Sequence, residues 1–195
     1  NACNKLKPYL FNYIMKTIEH FVNGKAFSGE SKRMAKVFNP ATGEQSAAVK
    51  LATTGDMNKA IENAKIAFKS WSNKPPLQRA RVMFKFKELI EKNSDELTKI
   101  IVSEHGKVYE DAKGSLTRGL EVVEYACGIP QMLKGEFTEN VGTDVDSWSI
   151  RQPLGVCAGI TPFNFPAMVP MWMFPMAIAC GNTFILKPSE KDPSC

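Results

Sequence analysis

The sequence has 195 residues, of which 44% are hydrophobic and 23% are charged. This globular composition excludes disordered, collagen-like and coiled-coil classes, and the length predicts about one to one and a half domains. The 25 Lys and Arg residues exceed the 20 Asp and Glu residues to give a net charge of +5, but they are scattered along the chain, so nucleic-acid binding is not indicated.

The five cysteines are widely spaced, with no Cys-x-x-Cys pair, and the chain has only two histidines to accompany them. This pattern argues against a disulfide scaffold and predicts no metal site. It favours a reducing compartment.

Residues 1–18 are predicted to be a leader outside the folded part. They carry Lys5, Lys7 and Lys16 and no acidic residue, the charge bias of an organelle transit peptide, but they also lack Arg and Ser. Two interpretations stay open: a transit-peptide remnant, and a disordered or untranslated leader. Because the first methionine is Met15, we expect the chain to be incomplete at its start.

A small β element is predicted to follow the leader. The dipeptide Asn23-Gly24 lies between two short apolar runs and is typical of a type I′ hairpin turn, because both residues accept positive φ angles. Residues 38–44 are predicted to form a turn, and Ser46–Ala52 a further short strand.

Four helices are predicted between Asp56 and Cys127, where apolar residues recur at steps of three and four. Pro75-Pro76 ends the first helix, and Asn93 with Glu96 is a predicted capping box at the start of the third. The second helix is predicted to turn five apolar residues inward: Val82, Met83, Phe86, Leu89 and Ile90. The polar segment from Phe137 to Arg151 is predicted to be a protruding hairpin.

Residues 152–186 contain no charged side chain, which by length alone would allow a membrane span. Four prolines argue against such a span, since each removes a backbone donor that lipid cannot replace: Pro162, Pro166, Pro170 and Pro175. A membrane-anchored module built on this stretch stays open as the non-enzyme alternative.

The same stretch is better explained as a βαβ unit. Strands at Val156–Ile160 and Thr183–Leu186 flank a helix from about Ala167 to Cys180, and continuous apolar strands of this kind predict a parallel sheet covered on both faces. Ligands bind beyond the carboxyl ends of such strands, where Asn164 and Lys187 are expected to lie. A sheet of two parallel strands needs further cover, so we expect the chain to continue beyond its last residue as part of a longer enzyme.

Three motifs in this unit resemble those of the aldehyde dehydrogenase superfamily: Ile-Thr-Pro-Phe-Asn-Phe-Pro at 160–166, Ala-Cys-Gly-Asn-Thr at 179–183 and Leu-Lys-Pro-Ser-Glu at 186–190. Their order and spacing match, and the resemblance covers nearly everything from about His20 onward. Phe163 departs from the pattern, since many members have Trp there. A closer similarity, to the CoA-acylating branch, rests on three further segments: Asn39–Gly43, Arg118–Gly128 and Ser149–Gly155.

The resemblance implies an α/β, aldehyde dehydrogenase-like fold, of which the chain is expected to hold a truncated N-terminal part. Residues 19–136 then correspond to the N-terminal β element and the helical part of the NAD-binding domain. Residues 137–152 correspond to the oligomerisation hairpin of a homotetramer, and residues 153–195 to the start of the Rossmann-like NAD-binding sheet.

The resemblance also implies an activity. A cysteine thiolate attacks an aldehyde, a hydride passes to NAD, and the resulting thioester is transferred to coenzyme A. The branch oxidises methylmalonate semialdehyde and malonate semialdehyde to propionyl-CoA and acetyl-CoA, in valine and thymine catabolism. The alternative within the superfamily is a non-acylating, NAD(P)-dependent aldehyde dehydrogenase.

The same resemblance implies a place for the enzyme and for its nucleophile. The expected location is the mitochondrial matrix in a eukaryote and the cytoplasm otherwise, with no membrane or nucleic-acid partner. None of the five cysteines occupies the nucleophile motif of the family, which belongs further along the chain. The 195 residues are therefore expected to be inactive by themselves.

Asn164 is the candidate catalytic residue, because the resemblance places its amide at the oxyanion that forms from the aldehyde. A helix-capping asparagine is the alternative. Lys187 and Glu190 match positions that hold the adenosine ribose, with surface charges as the alternative. Four residues are expected to line the cofactor: Ile160, Thr161, Pro162 and Phe163.

Phe165 and Trp172 match positions that wall the substrate tunnel in the family, although aromatic residues on apolar segments also pack in cores. The alignment brings Arg118 to the same tunnel, where a guanidinium can hold a carboxylate by a bidentate fork. The alternative for Arg118 is a solvated arginine, paired with Glu121 on the helix surface.

Overall fold

The computed structural model describes residues 15–195, and two small β elements open this part of the chain. Strands β1 (Lys16–Ile18), β4 (Met34–Phe38) and β5 (Gln45–Lys50) form one sheet in the order β1-β5-β4, with β1 parallel and β4 antiparallel to β5. Strands β2 (His20–Val22) and β3 (Lys25–Phe27) form a separate hairpin.

The hairpin turn confirms the sequence prediction, because Asn23 and Gly24 have φ angles of 54° and 74°. Strand β4 was not predicted, and β5 begins and ends earlier than the predicted Ser46–Ala52. The predicted leader also differs from the structure at its end, since Lys16–Ile18 pairs with β5. The rest of the leader prediction lies outside the described residues.

The four predicted helices are present as α1 (Thr54–Trp71), α2 (Pro76–Lys92), α3 (Ser94–His105) and α4 (Tyr109–Cys127), and a short α5 (Ile129–Met132) follows directly. The prediction for α2 is wrong in part. Val82 and Leu89 are 47% and 44% exposed, whereas Met83 is buried.

The capping box predicted at Asn93 and Glu96 is wrong. Asn93 has φ −106° and makes no side-chain cap, because its amide Nδ2 instead donates to the carbonyl of Leu89 at the end of α2. A capping box occurs at the start of α1, where the Thr53 hydroxyl accepts from the Asp56 amide at 3.0 Å and the Asp56 carboxylate accepts from the Thr53 amide at 2.9 Å.

Strands β6 (Phe137–Gly142) and β7 (Val145–Trp148) form the antiparallel hairpin that the sequence predicted. All residues of both strands are exposed, so the hairpin protrudes from the body formed by the helices. Asn140 and Asp144 have φ angles of 50° and 57°, which asparagine and aspartate tolerate better than most residues.

The βαβ unit has nearly the predicted bounds: β8 (Val156–Ile160), α6 (Met168–Ala179) and β9 (Thr183–Lys187), with β8 and β9 parallel. Gly181 ends the turn after α6 with φ 99°. The uncharged stretch is thus divided among two short strands, a loop and a 12-residue helix. In residues 15–195 we find no helix with the length and hydrophobicity needed to cross a membrane.

Helix α6 joins two hydrophobic clusters, and this packing positions the loop that precedes it. Ala179 lies in a cluster with α2 and α4 residues, and Met171 lies in a second cluster with α3 and α4 residues. Helices α4 and α6 come close together at Gly119, where an added Cβ would lie 3.0 Å from the Cα of Met168. The loop of residues 161–167 is therefore held between the end of β8 and helix α4.

Candidate functional site

The carboxyl ends of β8 and β9 meet at one edge of the parallel pair. The Thr161 amide donates to the Lys187 carbonyl at 3.2 Å, which extends the pairing of the two strands by one residue. Ile160 is 77% exposed at this edge, whereas Thr161 is buried. The Thr161 hydroxyl has no hydrogen-bond partner in the part of the chain that the structure describes.

Lys187 and Glu190 form an ion pair beside these strand ends. The Lys187 Nζ lies 3.1 Å from the Glu190 Oε2, and the two side chains are 50% and 49% exposed. A hydrogen bond from its own backbone lowers the pKa of Glu190, and Lys187 lowers that pKa further. Two polar groups of opposite charge are thus held together and remain open to solvent.

Asn164 lies in the loop between β8 and α6, with its side chain exposed. The helix-capping alternative does not apply, because the N-cap of α6 is Ala167 and no side chain caps that helix. The Asn164 amide is therefore available to a ligand at the edge where the two strands end.

The ring of Phe165, the residue after Asn164, is contacted by two cationic side chains. The Lys107 Nζ lies 3.7 Å from the centre of the Phe165 ring, and the Arg118 Cζ lies 5.5 Å from it. Arg118 reaches this ring because Gly119, its neighbour on α4, packs directly on α6. Although Arg118 is exposed, it does not pair with Glu121.

Phe163, which stands where many superfamily members have Trp, is surrounded by a second set of groups. Its ring stacks on the His105 ring, with the centres 6.3 Å apart and the planes at 22°. The Lys191 Nζ lies 4.4 Å from the Phe163 ring centre. Pro162 and Phe163 are both exposed, so this side of the loop is open.

Trp172 does not join these contacts. It lies on α6 and is 47% exposed, so within the described residues it is not part of a closed core. Phe165 is only partly buried. Ile160, Thr161, Lys187 and Glu190 thus lie at the two strand ends, Asn164 and Phe165 lie in the loop that follows β8, and Arg118 contacts Phe165. Trp172 takes part in none of these contacts.

Three residues of this region were not predicted from the sequence: Lys107, His105 and Lys191. Lys107 follows Gly106, the residue that ends α3 with φ 82°. The sequence gives no reason to select Lys107 from the other lysines, because its contact with Phe165 depends on how α4 packs against α6. The one local feature that marks its position is the glycine before it, which ends α3.

The electrostatics of the region are dominated by positive charge. Burial lowers the pKa of Lys107 and the charge of Arg118 lowers it further, while Asp111 and Asp192 act in the opposite direction. Burial, and next the charge of Lys107, lower the pKa of His105. Burial raises the pKa of Asp192 to about 7, so this nearby acid is a weak counter-charge at neutral pH.

Two of the described cysteines are poor candidates for a reactive thiol. Cys127 is buried and Cys180 is partly buried, and burial raises the pKa of both. Two cavities of about 230 and 210 Å³ lie elsewhere, beside the β2–β3 hairpin and between the helices. The strand ends themselves are open to solvent at Ile160, Asn164, Lys187 and Glu190.

The model of the aldehyde dehydrogenase family matches residues 27–195. The chain belongs to the aldehyde dehydrogenase family. It is 57% identical over 180 residues to the malonate-semialdehyde dehydrogenase of Pseudomonas aeruginosa, which is 92% of this chain and 36% of that protein. It is 52% identical over 176 residues to the acylating, mitochondrial methylmalonate-semialdehyde dehydrogenase of Arabidopsis thaliana, which is 90% of this chain and 29% of that protein.

A solved aldehyde dehydrogenase structure shares the fold closely. It comes from Sinorhizobium meliloti, is assigned as a methylmalonate-semialdehyde dehydrogenase and contains NAD. The TM-score is 0.90 at 54% identity, over 92% of this chain and 37% of that one. The chain thus spans 29% to 37% of the length of these three relatives.

The residues present fit a dinucleotide at the strand ends. Lys187 supplies a cationic donor and Glu190 an acceptor, and each ribose hydroxyl can accept from the one or donate to the other. The buried, unpartnered hydroxyl of Thr161 is a further polar group in the described residues that a ligand can satisfy. The exposed side chain of Ile160 offers an apolar surface beside them.

Proposed function

We propose that the whole protein oxidises short aldehydes that carry a carboxylate, namely malonate semialdehyde and methylmalonate semialdehyde, with NAD and coenzyme A as co-substrates. The observation that carries this proposal is the Arg118 guanidinium beside Phe165, one residue from Asn164. An aldehyde with no charge has no use for a guanidinium at that position. The names of the relatives from Pseudomonas aeruginosa and Arabidopsis thaliana support the same substrates.

Asn164 is the oxyanion donor in this proposal. Attack of a thiolate on the aldehyde carbon turns the carbonyl oxygen into an oxyanion, which an amide donor stabilises more than it stabilises the aldehyde. The exposed amide at the strand ends, with no capping role, supports this assignment. The nucleophilic cysteine is expected in the part of the whole protein outside this chain.

Lys187 and Glu190 hold the adenosine ribose of NAD, and Ile160, Thr161, Pro162 and Phe163 line the cofactor. When bound, NAD accepts the hydride that leaves the aldehyde carbon. The ion pair between Lys187 and Glu190 supports this role, because it keeps a donor and an acceptor at a fixed separation before the ribose binds.

Phe165 and Trp172 line the tunnel through which the substrate enters, and Arg118 binds the substrate carboxylate. The products are propionyl-CoA with release of CO2 from methylmalonate semialdehyde, and acetyl-CoA with CO2 from malonate semialdehyde. This places the enzyme in valine and thymine catabolism. The location is the mitochondrial matrix in a eukaryote, as the name of the Arabidopsis thaliana relative suggests, and the cytoplasm otherwise.

The protruding β6–β7 hairpin, residues 137–148 of the proposed 137–152 segment, mediates assembly of a homotetramer. Its large apolar residues are exposed, with Phe137 at 66% and Trp148 at 67%. Apolar side chains on an isolated two-stranded hairpin need a covering surface, and a second subunit supplies it.

The proposal is tested by Arg118→Leu in the whole protein. Loss of a charge-assisted contact worth about 1.5 to 3 kcal/mol should lower kcat/KM for methylmalonate semialdehyde by about 10- to 150-fold. Propanal has no carboxylate, so its kcat/KM should stay within about twofold. The ratio of the two values is the measured quantity, because general damage to folding cancels from it.

Arg81→Leu is the matched control, since Arg81 is an exposed arginine on α2. It should leave the ratio unchanged. An unchanged ratio in Arg118→Leu would contradict the carboxylate role. Assays with and without coenzyme A separate the acylating activity from its non-acylating alternative: the proposal requires an acyl-CoA product, whereas release of the free acid at the same rate without coenzyme A would favour the alternative.

A further inference from the structure

Lys107 and Arg118 repel each other beside Phe165 when no anion is bound there. Two positive side chains approach one aromatic ring, and neither forms an ion pair with an acidic side chain of residues 15–195. Like charges that share a partly buried location repel, and the repulsion is stronger where water is excluded. Burial, and next the charge of Arg118, lower the pKa of Lys107.

The surrounding acids do not remove this excess charge. Asp111 and Asp192 act on Lys107 from a distance, and Asp192 is itself buried with a pKa raised to about 7. His105, the other titratable group nearby, also feels the Lys107 charge, which lowers its pKa. An anion bound beside the two cations would relieve the repulsion, and neither cation has an ion-pair partner among residues 15–195.

The position of the two cations limits which anion fits. Phe165 directly follows Asn164, so the Cα atoms of the two residues are about 3.8 Å apart. The cations at Phe165 and the Asn164 amide therefore belong to neighbouring residues of one loop. In malonate semialdehyde one carbon separates the aldehyde from the carboxylate, so a short substrate of this kind suits a carboxylate site next to the oxyanion donor.

We propose that Lys107 is a second cation for the substrate carboxylate, acting together with Arg118. This inference rests on the proposed function and deepens it. The planar guanidinium of Arg118 binds the carboxylate by a fork of two donors, and the Lys107 ammonium contacts one of its oxygens as a point charge. Both cations contact the Phe165 ring, which holds them near one another.

The test is Lys107→Met in the whole protein, with malonate semialdehyde and propanal as substrates. Removing one of two charge-assisted contacts should lower kcat/KM for malonate semialdehyde by about tenfold, mainly through a higher KM. The value for propanal should stay within about twofold. Lys107→Arg keeps the charge and should restore most of the activity.

Lys113→Met is the matched control, because Lys113 is an exposed lysine on α4 away from Phe165. It should leave both substrates unaffected. If Lys107→Met instead lowers the values for malonate semialdehyde and propanal equally, Lys107 only supports the packing of Phe165 and the inference is wrong. An effect on neither substrate would overturn it as well.

A second measurement separates this inference from the proposed function. Malonate should inhibit propanal oxidation by occupying the carboxylate site, and Lys107→Met should weaken this inhibition by about tenfold. If the wild-type protein fails to oxidise malonate semialdehyde but malonate inhibition depends on Lys107, the proposed function is wrong and the Lys107 site stands. If Arg118→Leu changes the substrate ratio while Lys107→Met changes neither that ratio nor the inhibition, the Lys107 site is wrong and the proposed function stands.

Discussion

Two asparagines in the βαβ unit show how a single residue type is used in opposite ways. Asn182 is buried, and its Oδ1 accepts from the amides of Leu154 and Gly155 at 2.7 and 3.0 Å, while its Nδ2 donates to the Ala177 carbonyl at 3.1 Å. These bonds fix the chain entering β8 to the turn before β9. Asn164 is exposed at the other end of the strands and caps no helix.

Because Asn164 is exposed and Asn182 is buried, alanine at Asn164 should affect the reaction rate and alanine at Asn182 should affect stability. Asn164→Ala should lower the rate of the acylation half-reaction by about 100-fold or more, with the dissociation constant for NAD and the free energy of unfolding nearly unchanged. Asn182→Ala should lower the free energy of unfolding by about 1 to 3 kcal/mol, because it leaves buried backbone groups without partners. Single-turnover kinetics and urea unfolding measure the two effects.

The result that would contradict this assignment is a loss of stability in Asn164→Ala with an unchanged rate per folded molecule. That outcome would return Asn164 to a structural role. Asn182→Ala is the internal control, since it shows how large a structural effect in the same unit is.

At the scale of the elements, the contact between α4 and α6 controls the geometry of the site. Gly119 lies where these helices touch, and an added Cβ would lie 2.5 Å from the Met171 Cε and 3.0 Å from the Met168 Cα. The methionine end can move, but the backbone of α6 cannot move without carrying the loop that holds Asn164 and Phe165. The same backbone shift changes where Arg118 meets Phe165.

Gly119→Ala should therefore destabilise the fold by about 1 to 3 kcal/mol through overpacking. It should also reduce kcat/KM for the semialdehydes more than for propanal. Gly114→Ala is the matched control on the same helix, because a Cβ there has open space around it. That control should be neutral or stabilising by up to about 1 kcal/mol. Equal stability of the two variants in thermal unfolding would show that the helices can separate freely.

How far the sequence predicts these elements depends on whether the deciding contacts are local. The bounds of β8, α6 and β9 were predictable because continuous apolar strands and Gly181 mark them within a few residues. Strand β4 could not be predicted, because its short Met-Ala-Lys-Val-Phe segment becomes a strand only by pairing with β5. The capping box was assigned to Asn93, although Asn93 bonds backward to α2 and the Thr53–Asp56 pair has the required geometry.

In the candidate site, too, residues placed by local sequence signals were predictable and residues placed by long-range packing were not. The positions of Asn164, Lys187 and Glu190 after the two strands were predictable, because the apolar runs mark where β8 and β9 end. Their roles stay predictions. Lys107 was not predictable, because its neighbour Phe165 is distant in sequence and the two meet only through the packing of α4 on α6. Arg118 was placed by resemblance alone, and its contact with Phe165 is a finding of the structure.

At the scale of the whole molecule, the described part exposes several large apolar side chains. Leu154 is 93% exposed, Ile160 is 77% exposed and Trp148 is 67% exposed. The β8–β9 sheet has two strands only, so backbone groups on both outer edges are unpaired within residues 15–195. Unpaired strand edges and exposed apolar side chains both promote association between chains.

The last prediction concerns the 195-residue chain expressed by itself. It should produce no NADH from methylmalonate semialdehyde, NAD and coenzyme A, because none of its cysteines occupies the nucleophile motif that the resemblance implies. Burial also raises the thiol pKa of Cys127, Cys180 and Cys195, which disfavours the nucleophilic thiolate. Light scattering after size exclusion should find it associated or aggregated, whereas the whole protein should form the proposed homotetramer under the same conditions. Steady NADH production by a monodisperse sample of the isolated chain would contradict both expectations, since it would require a nucleophile and a finished sheet within these residues.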